Sequence, residues 1–403
     1  MTVTPLELRS AEASALRAEL AAVGPTNALD VVTRLRRQFP NIEAELVSAV
    51  VTQAELARRG ERRLGSWAHD MVLEPIALEQ ATRRDVARYR ARQLIGRLGL
   101  EHPRVADLGC GIGVDARALA EAGCEVTVID RDPWRCAAAV LNAELSGAVH
   151  TLCADVRDVN LSNVDAAFVD PARRTPNAPR SIDGTRSTKE VDPASWSPPW
   201  PWVVQTSKAL PLAAKASTGL PISAVPVNAE VEWIDHDGDT VEACVWFAPL
   251  ASTRKRATVV PADPSQQAES LVASADSPAP VAASIQAFLV EPTPAVRRAG
   301  LVDELAHRFD LHRLRSDSHW LTTDTVPATQ LARAWSVVAE LPTQAKALRA
   351  ALADRGPVTW KTNDVPVSAV EQQRRVRHQP VRGAEPTHVV LAAGGIVVEV
   401  TPT

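Results

Sequence analysis

Over residues 5–100 apolar side chains recur at every third or fourth position, with polar residues between them. Leu78, Ala81, Val86, Tyr89 and Leu94, separated by arginines, give one stripe for a core and leave the opposite face wet, as an amphipathic helix requires. The pattern predicts helices over 5–22, 28–39, 42–64 and 78–98. From Arg104 the texture changes. Short apolar runs at 105–108, 125–129, 149–153, 166–169 and 202–205 alternate with helical stretches at 116–122 and 133–145. Segments of these lengths in this order predict parallel βαβ units in a doubly wound sheet. Two further runs, 231–234 and 241–247, flank Asp235-His236-Asp237-Gly238-Asp239. Asp-Gly suits a two-residue hairpin turn, so the sheet is expected to end in an antiparallel pair.

Residues 262–282 are rich in Pro, Ser, Ala and Gln with little apolar periodicity, and read as a linker. Beyond it, helices are expected over 295–309, 328–338, 345–354 and 368–376, and strands over 358–362, 388–392 and 396–400. At 403 residues the chain exceeds one ordinary domain of about 100–200 residues. The expected division is a helical region (1–100), an α/β domain (101–261), the linker (262–282) and a small α+β domain (283–403).

Composition narrows the class. Hydrophobic residues at 45% and charged residues at 23% belong to a folded globular chain, and only 4% aromatic content leaves cores built from Ala, Val and Leu. No apolar run approaches the roughly 18–20 residues that cross a bilayer, and the N-terminus lacks a basic-then-apolar secretory layout, so a cytoplasmic place and no membrane are expected. Cys110, Cys124, Cys136, Cys153 and Cys244 show no C-x-x-C spacing and no adjacent histidines. They are expected as reduced thiols, with no metal. The net charge of −4 does not advertise nucleic acid, but residues 31–100 carry thirteen arginines against eight acids, a local net of +5. That segment reads either as a basic surface or as one part of a chain that uses arginine in place of lysine throughout.

Chemistry concentrates at Val105-Ala106-Asp107-Leu108-Gly109-Cys110-Gly111-Ile112-Gly113. Glycines at 109, 111 and 113 let the chain turn sharply out of a strand and approach a ligand closely. A dinucleotide fingerprint is G-x-G-x-x-G, and Val114 stands where its third glycine would fall. Asp107, two residues before the first glycine, would repel a pyrophosphate but accept hydrogen bonds from an ammonium. S-adenosylmethionine carries an ammonium and no phosphate, which favours it over a nicotinamide cofactor. Asp130 follows the next strand, about twenty residues past the loop, where an acid takes both ribose hydroxyls. Asp155, after the third strand, is placed to accept from the adenine amino group. Helix capping and turn formation are the alternative uses of such strand-end acids.

With those residues in view, 105–169 resembles the core of the class I methyltransferases. Asp107, Gly109, Gly111 and Gly113 match the first motif, Asp130 the second and Asp155 the third. Leu78-Glu79-Gln80-Ala81-Thr82, Val169-Asp170-Pro171-Ala172-Arg173-Arg174, Glu230-Val231-Glu232-Trp233 and Phe288-Leu289-Val290-Glu291-Pro292 resemble a narrower family, class I methyltransferases with a C-terminal THUMP-like domain. The resemblance then covers nearly the whole chain. It implies an α/β fold with a Rossmann-like seven-stranded sheet, an N-terminal helical region, a small α+β THUMP-like domain and S-adenosylmethionine as cofactor. In the related amino-group methyltransferases, including trimethylguanosine synthases, the fourth motif is an acid or amide, then Pro-Pro, then an aromatic. Asp170 and Pro171 match; Ala172 and Arg173 depart, and the base-stacking aromatic is missing.

The resemblance implies catalytic places for Asp170, Pro171 and Arg173. Asp170 is expected to orient the acceptor, while Arg173 and Arg174 bind a phosphate or close the site on an acid such as Glu79. Surface ion pairing is the other reading of the two arginines. The sulfonium is already a strong electrophile, so alignment and exclusion of water suffice and no obligatory acid or base is needed. Glu79 to Thr82 lie just before the sheet, where class I enzymes commonly fold a helix over the cofactor, and read as part of the site, with Glu79 facing substrate, or as a helix cap and solvated face; Lys208, after the expected fifth strand, reads as touching acceptor or cofactor or as solvated surface. Trp196, Trp200 and Trp202 read as packing or as base-stacking. The expected function is methylation of an RNA base, in tRNA or rRNA, with Arg374, Arg375, Arg377 and Arg382 as phosphate partners. Two other readings stay open: a methyltransferase of a small molecule or protein, and an RNA-binding protein that keeps the fold without catalysis.

Overall fold

A computed structural model describes residues 3–22, 28–172, 192–274, 277–362 and 364–403. The chain divides into two compact units: Met1–Glu230 with Glu242–Ser252 and Ala262–Pro264, and Val231–Val241 with Thr253–Pro261 and Ser265–Thr403.

The first unit opens with α1 (Ala11–Ala22), α2 (Ala28–Gln38) and α3 (Ala44–Leu64), whose apolar stripes meet in a core of Leu8, Leu16, Leu35, Val47 and Val50. Then come α4 (Trp67–Asp70), α5 (Pro75–Gln80) and α6 (Arg84–Leu98). The single helix expected over 78–98 is therefore two. Ala81 is extended at ψ 143°, and its carbonyl accepts from Arg63 Nη1 at 2.6 Å. Helical propensity permits continuity across 81–83, but buried polar partners for Gln80 and Thr82, described below, take precedence.

The strands are β1 (Arg104–Leu108), β2 (Glu125–Asp130), β3 (Val149–Cys153), β4 (Ala166–Val169), β5 (Leu212–Ala216), β6 (Glu230–His236), β7 (Asp239–Trp246), β8 (Lys255–Val259) and β9 (Glu269–Val272). Among the described residues the order is β3-β2-β1-β4-β5-β7 in the first unit and β6-β8-β9 in the second, nine strands where seven are expected. The addition is β8 and β9; β9 lies within the segment expected as a linker. In the first unit β1 to β5 pair in parallel and β7 runs antiparallel to β5. Helices α7 (Val114–Glu121) and α8 (Pro133–Ala143) follow β1 and β2 as a βαβ pattern requires.

One expectation is overturned here. The run 202–205 is not the fifth strand but part of α9 (Trp200–Thr206), which prolines pre-set at its first turn. The strand is Leu212-Ala213-Ala214-Lys215-Ala216, an alanine-rich run of good helix formers. It is extended because β4 and β7 bond it on both sides and every one of its residues is buried. The expected hairpin is present, with Asp237 and Gly238 at φ 56° and 83°.

In the second unit β6 pairs with β8 in parallel and β8 with β9 in antiparallel fashion. A second sheet comprises β10 (Phe288–Pro292), β11 (His312–Arg313), β12 (Leu321–Thr323), β13 (Ala332–Glu340), β14 (Val358–Lys361), β15 (Thr387–Ala392) and β16 (Ile396–Pro402), in the order β11-β12-β10-β13-β16-β15-β14. Helices α10 (Pro294–Ala299), α11 (Val302–Phe309), α12 (Ala345–Ala351) and α13 (Ala369–Val376) complete the unit. The helix expected over 295–309 is split by Gly300 at φ 68°. The helix expected over 328–338 is β13, because β10 and β16 bond it on either side and Trp335 enters a core with Leu289, Trp320 and Val400. Among the described residues no helix is long and apolar enough to cross a membrane, and no group of three His, Cys, Asp or Glu could hold a metal ion.

Candidate active site

Register brings the carboxyl ends of β1, β2 and β4 together: Leu108 lies beside Ile129 on one side and Val169 on the other. Ligands of parallel sheets bind at such strand ends. The turn leaving β1 is held from β2, since Gly109 N and Cys110 N both donate to the Ile129 carbonyl at 2.8 and 3.1 Å. Asp130 completes the brace, accepting from Gly111 N at 3.1 Å and from Asp132 N at 3.0 Å.

The three glycines differ in what they do. Gly111 has φ 54° and a Cβ there would meet nothing within 4 Å, so the turn opens onto free space. Gly113 has φ 77°, and a Cβ would stand 2.7 Å from Ala139 Cα and 2.9 Å from its carbonyl oxygen, so this glycine packs the start of α7 against α8. Gly113→Ala is accordingly expected to cost more than about 3 kcal/mol, adding overpacking to backbone strain, whereas Gly111→Ala costs only the strain of about 1–2 kcal/mol. Denaturant unfolding of the two variants should separate them; equal losses would refute the packing role.

Asp107 is 1% exposed, and its Oδ2 has no hydrogen-bond partner among the described residues. Burial pushes its carboxyl well above the ordinary range; Asp115 and Asp170 add to this, and Arg90 opposes it. A buried, orphaned carboxylate beside an open glycine turn fits a ligand with a cationic group and is hostile to a diphosphate. By this test the residues present fit the ammonium of S-adenosylmethionine.

Asp170 follows β4, its N–H 3.4 Å from the Leu108 carbonyl. Its Oδ2 accepts from Lys215 Nζ on β5 at 2.7 Å. Buried Arg90, on α6, reaches the same region, donating to Asp115 on α7 and Glu242 on β7 with its guanidinium 4.1 Å over the Phe168 ring. Burial opposes the Arg90 charge, but Asp115 and Glu242 outweigh it and hold the guanidinium firmly protonated. Burial likewise pushes the Glu242 carboxyl up, against Arg90 and Lys215. Thr82 Oγ1 donates to Asp115 Oδ2 at 2.9 Å. Sequence reasoning included Thr82 in the candidate segment 79–82 but missed Arg90, Lys215 and Glu242. The usable signal was a lone lysine inside an otherwise apolar run at 212–216, obscured because the fifth strand was sought at 202–205.

The other expected residues fall in different places. Asp155 caps the short turn Val156–Asp158, and Arg157 holds its carboxyl down at about 2 through its side chain and its backbone N–H. Pro171 is buried. Glu79 is half-exposed, 3.9 Å from Arg59, and Lys208 is exposed after α9, bonded to Gln205. Arg173 and Arg174 lie outside the described residues. Trp196 and Trp200 are buried edge to face, their centroids 5.7 Å apart, so they pack; Trp202 is half-buried. Several arginines of the basic segment are engaged internally, Arg88 with Glu121, Arg97 with Glu230 and Arg90 as above.

Comparison with known proteins agrees with this geometry. A family model described as a methyltransferase domain matches residues 105–177, and one described as a domain of unknown function matches 4–60. Proteins of Mycobacterium tuberculosis strains CDC 1551 / Oshkosh and ATCC 25618 / H37Rv, each named an uncharacterized S-adenosylmethionine-dependent methyltransferase, are 30% identical over 355 residues, covering 84% of this chain and 91% of theirs. The crystal structure of a candidate methyltransferase from Porphyromonas gingivalis W83 shares the fold at a TM-score of 0.69 and 20% identity, covering 92% of this chain and 96% of that one. With the buried acid, the open glycine turn and this relationship along most of its length, the chain belongs to the S-adenosylmethionine-dependent methyltransferases.

Proposed function

We propose that this enzyme methylates a base of RNA, tRNA or rRNA, in the cytoplasm, with Asp170 orienting the acceptor. The observation that carries the reading is Asp170 itself: a carboxylate beside the glycine turn with Oδ2 fixed by Lys215 and no hydrogen bond to Oδ1 among the described residues. An oriented acceptor of that kind suits an amino or imino group about to be methylated. Asp107 would take the cofactor ammonium, the backbone at Gly109 and Gly111 would line its path, and Gly113 would support the turn. Asp130 has lone pairs left for ribose hydroxyls; Asp155 would receive the adenine amino group on the lone pairs that Arg157 leaves. S-adenosylmethionine supplies an electrophilic methyl on sulfur when bound, and the chain's own task is to align the acceptor and exclude water. In this reading Pro171 and Arg173 border the acceptor, and Glu79, Arg174 and Lys208 lie at its margin. The strands β3-β2-β1-β4-β5-β7-β6 would be the seven of the family sheet, with β8 and β9 added.

Residues 283–403 would act as the THUMP-like RNA module. Arg374, Arg375, Arg377 and Arg382 support this: all are exposed, and none forms an ion pair among the described residues. Binding of tRNA and rRNA fragments should weaken steeply with salt, and changing all four arginines to alanine should lower affinity at least about tenfold at 0.1 M salt while reducing the log–log salt slope by up to about 3. Filter binding across a salt series measures both. Binding that is absent or indifferent to salt would overturn the RNA assignment and favour a small-molecule or protein acceptor.

A further inference from the structure

We infer that Lys215 is a positioning residue for methyl transfer, acting through Asp170; the inference rests on the reading of Asp170 given above. A lysine ammonium has three N–H donors, and three acceptors of separate origin meet it: Asp170 Oδ2 at 2.7 Å, Thr82 Oγ1 at 3.2 Å and the Gln80 carbonyl at 3.4 Å. The side chain is buried in the middle of β5 and cannot swing to solvent. With every N–H engaged it has none to offer another ligand, so it clamps rather than donates.

The surroundings explain why a cation is needed at this point. Asp107, Asp115, Asp170 and Glu242 converge here, and Arg90 is committed to Asp115 and Glu242. Among the described residues Lys215 is the cation that touches Asp170. Remove it and the Asp170 carboxylate loses the donor that fixes Oδ2 while still facing the other acids, so it turns out of line and no longer presents Oδ1 to the acceptor. The break between α5 and α6 belongs to the same device. A continuous helix would give the Gln80 carbonyl to Arg84 N, whereas ending α5 at Gln80 frees that carbonyl and turns the Thr82 hydroxyl inward. The clamp leaves Asp170 Oδ1 for the acceptor, which selects substrates that present an N–H or O–H beside the methylated atom.

The test compares native protein with Lys215→Met, Lys215→Arg, Asp170→Asn and the double variant Asp170→Asn/Lys215→Met. Each is given radiolabelled S-adenosylmethionine and total cell extract, afterwards separated into RNA, protein and small-molecule fractions. Lys215→Met should lower labelling about 100-fold, the scale of a displaced reacting group, while Lys215→Arg recovers about tenfold of that loss. Affinity for S-adenosylhomocysteine by calorimetry should stay within about threefold of native. The double variant should be no slower than Asp170→Asn alone, since the two side chains act as one unit. Multiplying losses, or a collapse in cofactor affinity equal to the loss of rate, would overturn the proposal. Native label found in protein and not RNA sinks the RNA reading and leaves the Lys215 comparison intact in that fraction. A readout without turnover closes the remaining gap: the chain has six lysines, so selective 15N-lysine labelling resolves few ammonium signals. The Lys215 signal should be protected from exchange in native protein and shift strongly in Asp170→Asn; an indifferent signal refutes the clamp.

Discussion

Replacing Asp107 with asparagine is expected to make the cofactor-free protein more stable and leave it nearly unable to bind S-adenosylmethionine. The buried Oδ2 has no partner among the described residues, and an unsatisfied buried polar group costs about 1–3 kcal/mol, more when charged. At pH values above its raised pKa, where the acid is ionised, an uncharged amide relieves the charge repulsion from Asp115 and Asp170, so the melting temperature there should rise by several degrees. Affinity should fall in the opposite direction. If Asp107 takes the cofactor ammonium as proposed, its loss removes about 2–5 kcal/mol of binding, roughly 30- to 5,000-fold.

The pH dependence of native protein carries the same signature with a definite sign. Burial raises the Asp107 carboxyl in the folded chain above the value of about 3.9 it has when unfolded. Between those two values the folded state holds a proton that the unfolded chain has released, so this group's contribution to stability is present at low pH and is lost as pH rises through the window. In the proposed reading cofactor binding ionises the group, so affinity should climb with pH over the same window, with a proton released. Calorimetry in buffers of different ionisation enthalpy measures that proton. Asp107→Asn should abolish the release; a variant that still binds tightly, or is less stable than native above that window, would remove Asp107 from the site.

Asp170→Ala is expected to lower methyl transfer about 100- to 1,000-fold while leaving S-adenosylhomocysteine binding nearly intact. The carboxylate stands beyond β4, fixed by Lys215, and in the proposed reading it serves the acceptor rather than the cofactor. Its removal also strands the Lys215 ammonium, so Asp170→Asn is the gentler control, keeping shape and one acceptor oxygen. Label transfer at saturating cofactor, with kcat and KM separated, reads the outcome. A drop confined to cofactor affinity would move Asp170 to the cofactor side of the site, and full activity in either variant would end its role.

The division between what was legible and what was not follows particular elements. Asp107, the glycines and Asp130 lie within about 25 residues of one another, and their spacing along β1, β2 and the turn between them is a local property that periodicity and turn chemistry disclose. The hairpin at Asp237-Gly238 was legible for the same reason, since positive φ at both positions narrows the choice of residues. Gly113 was legible as a glycine but not in its purpose, because Ala139 arrives from another helix.

The sequence by itself determined the alternation of strand and helix, the acid-and-glycine turn and the cofactor class that such a turn admits, all of which depend on neighbours in the chain. Only the tertiary structure decided that 212–216 is a strand, that 332–340 is a strand, and that the helix ending at Gln80 stops there. Alanine-rich and mixed runs satisfy either conformation alone, and hydrogen bonding to β4 and β7, or to β10 and β16, tips them to strand. The same holds for Lys215, Arg90 and Glu242, drawn from residues 90 to 242: what joins them is the low-dielectric interior, where a charge persists only beside a partner that folding brings to it.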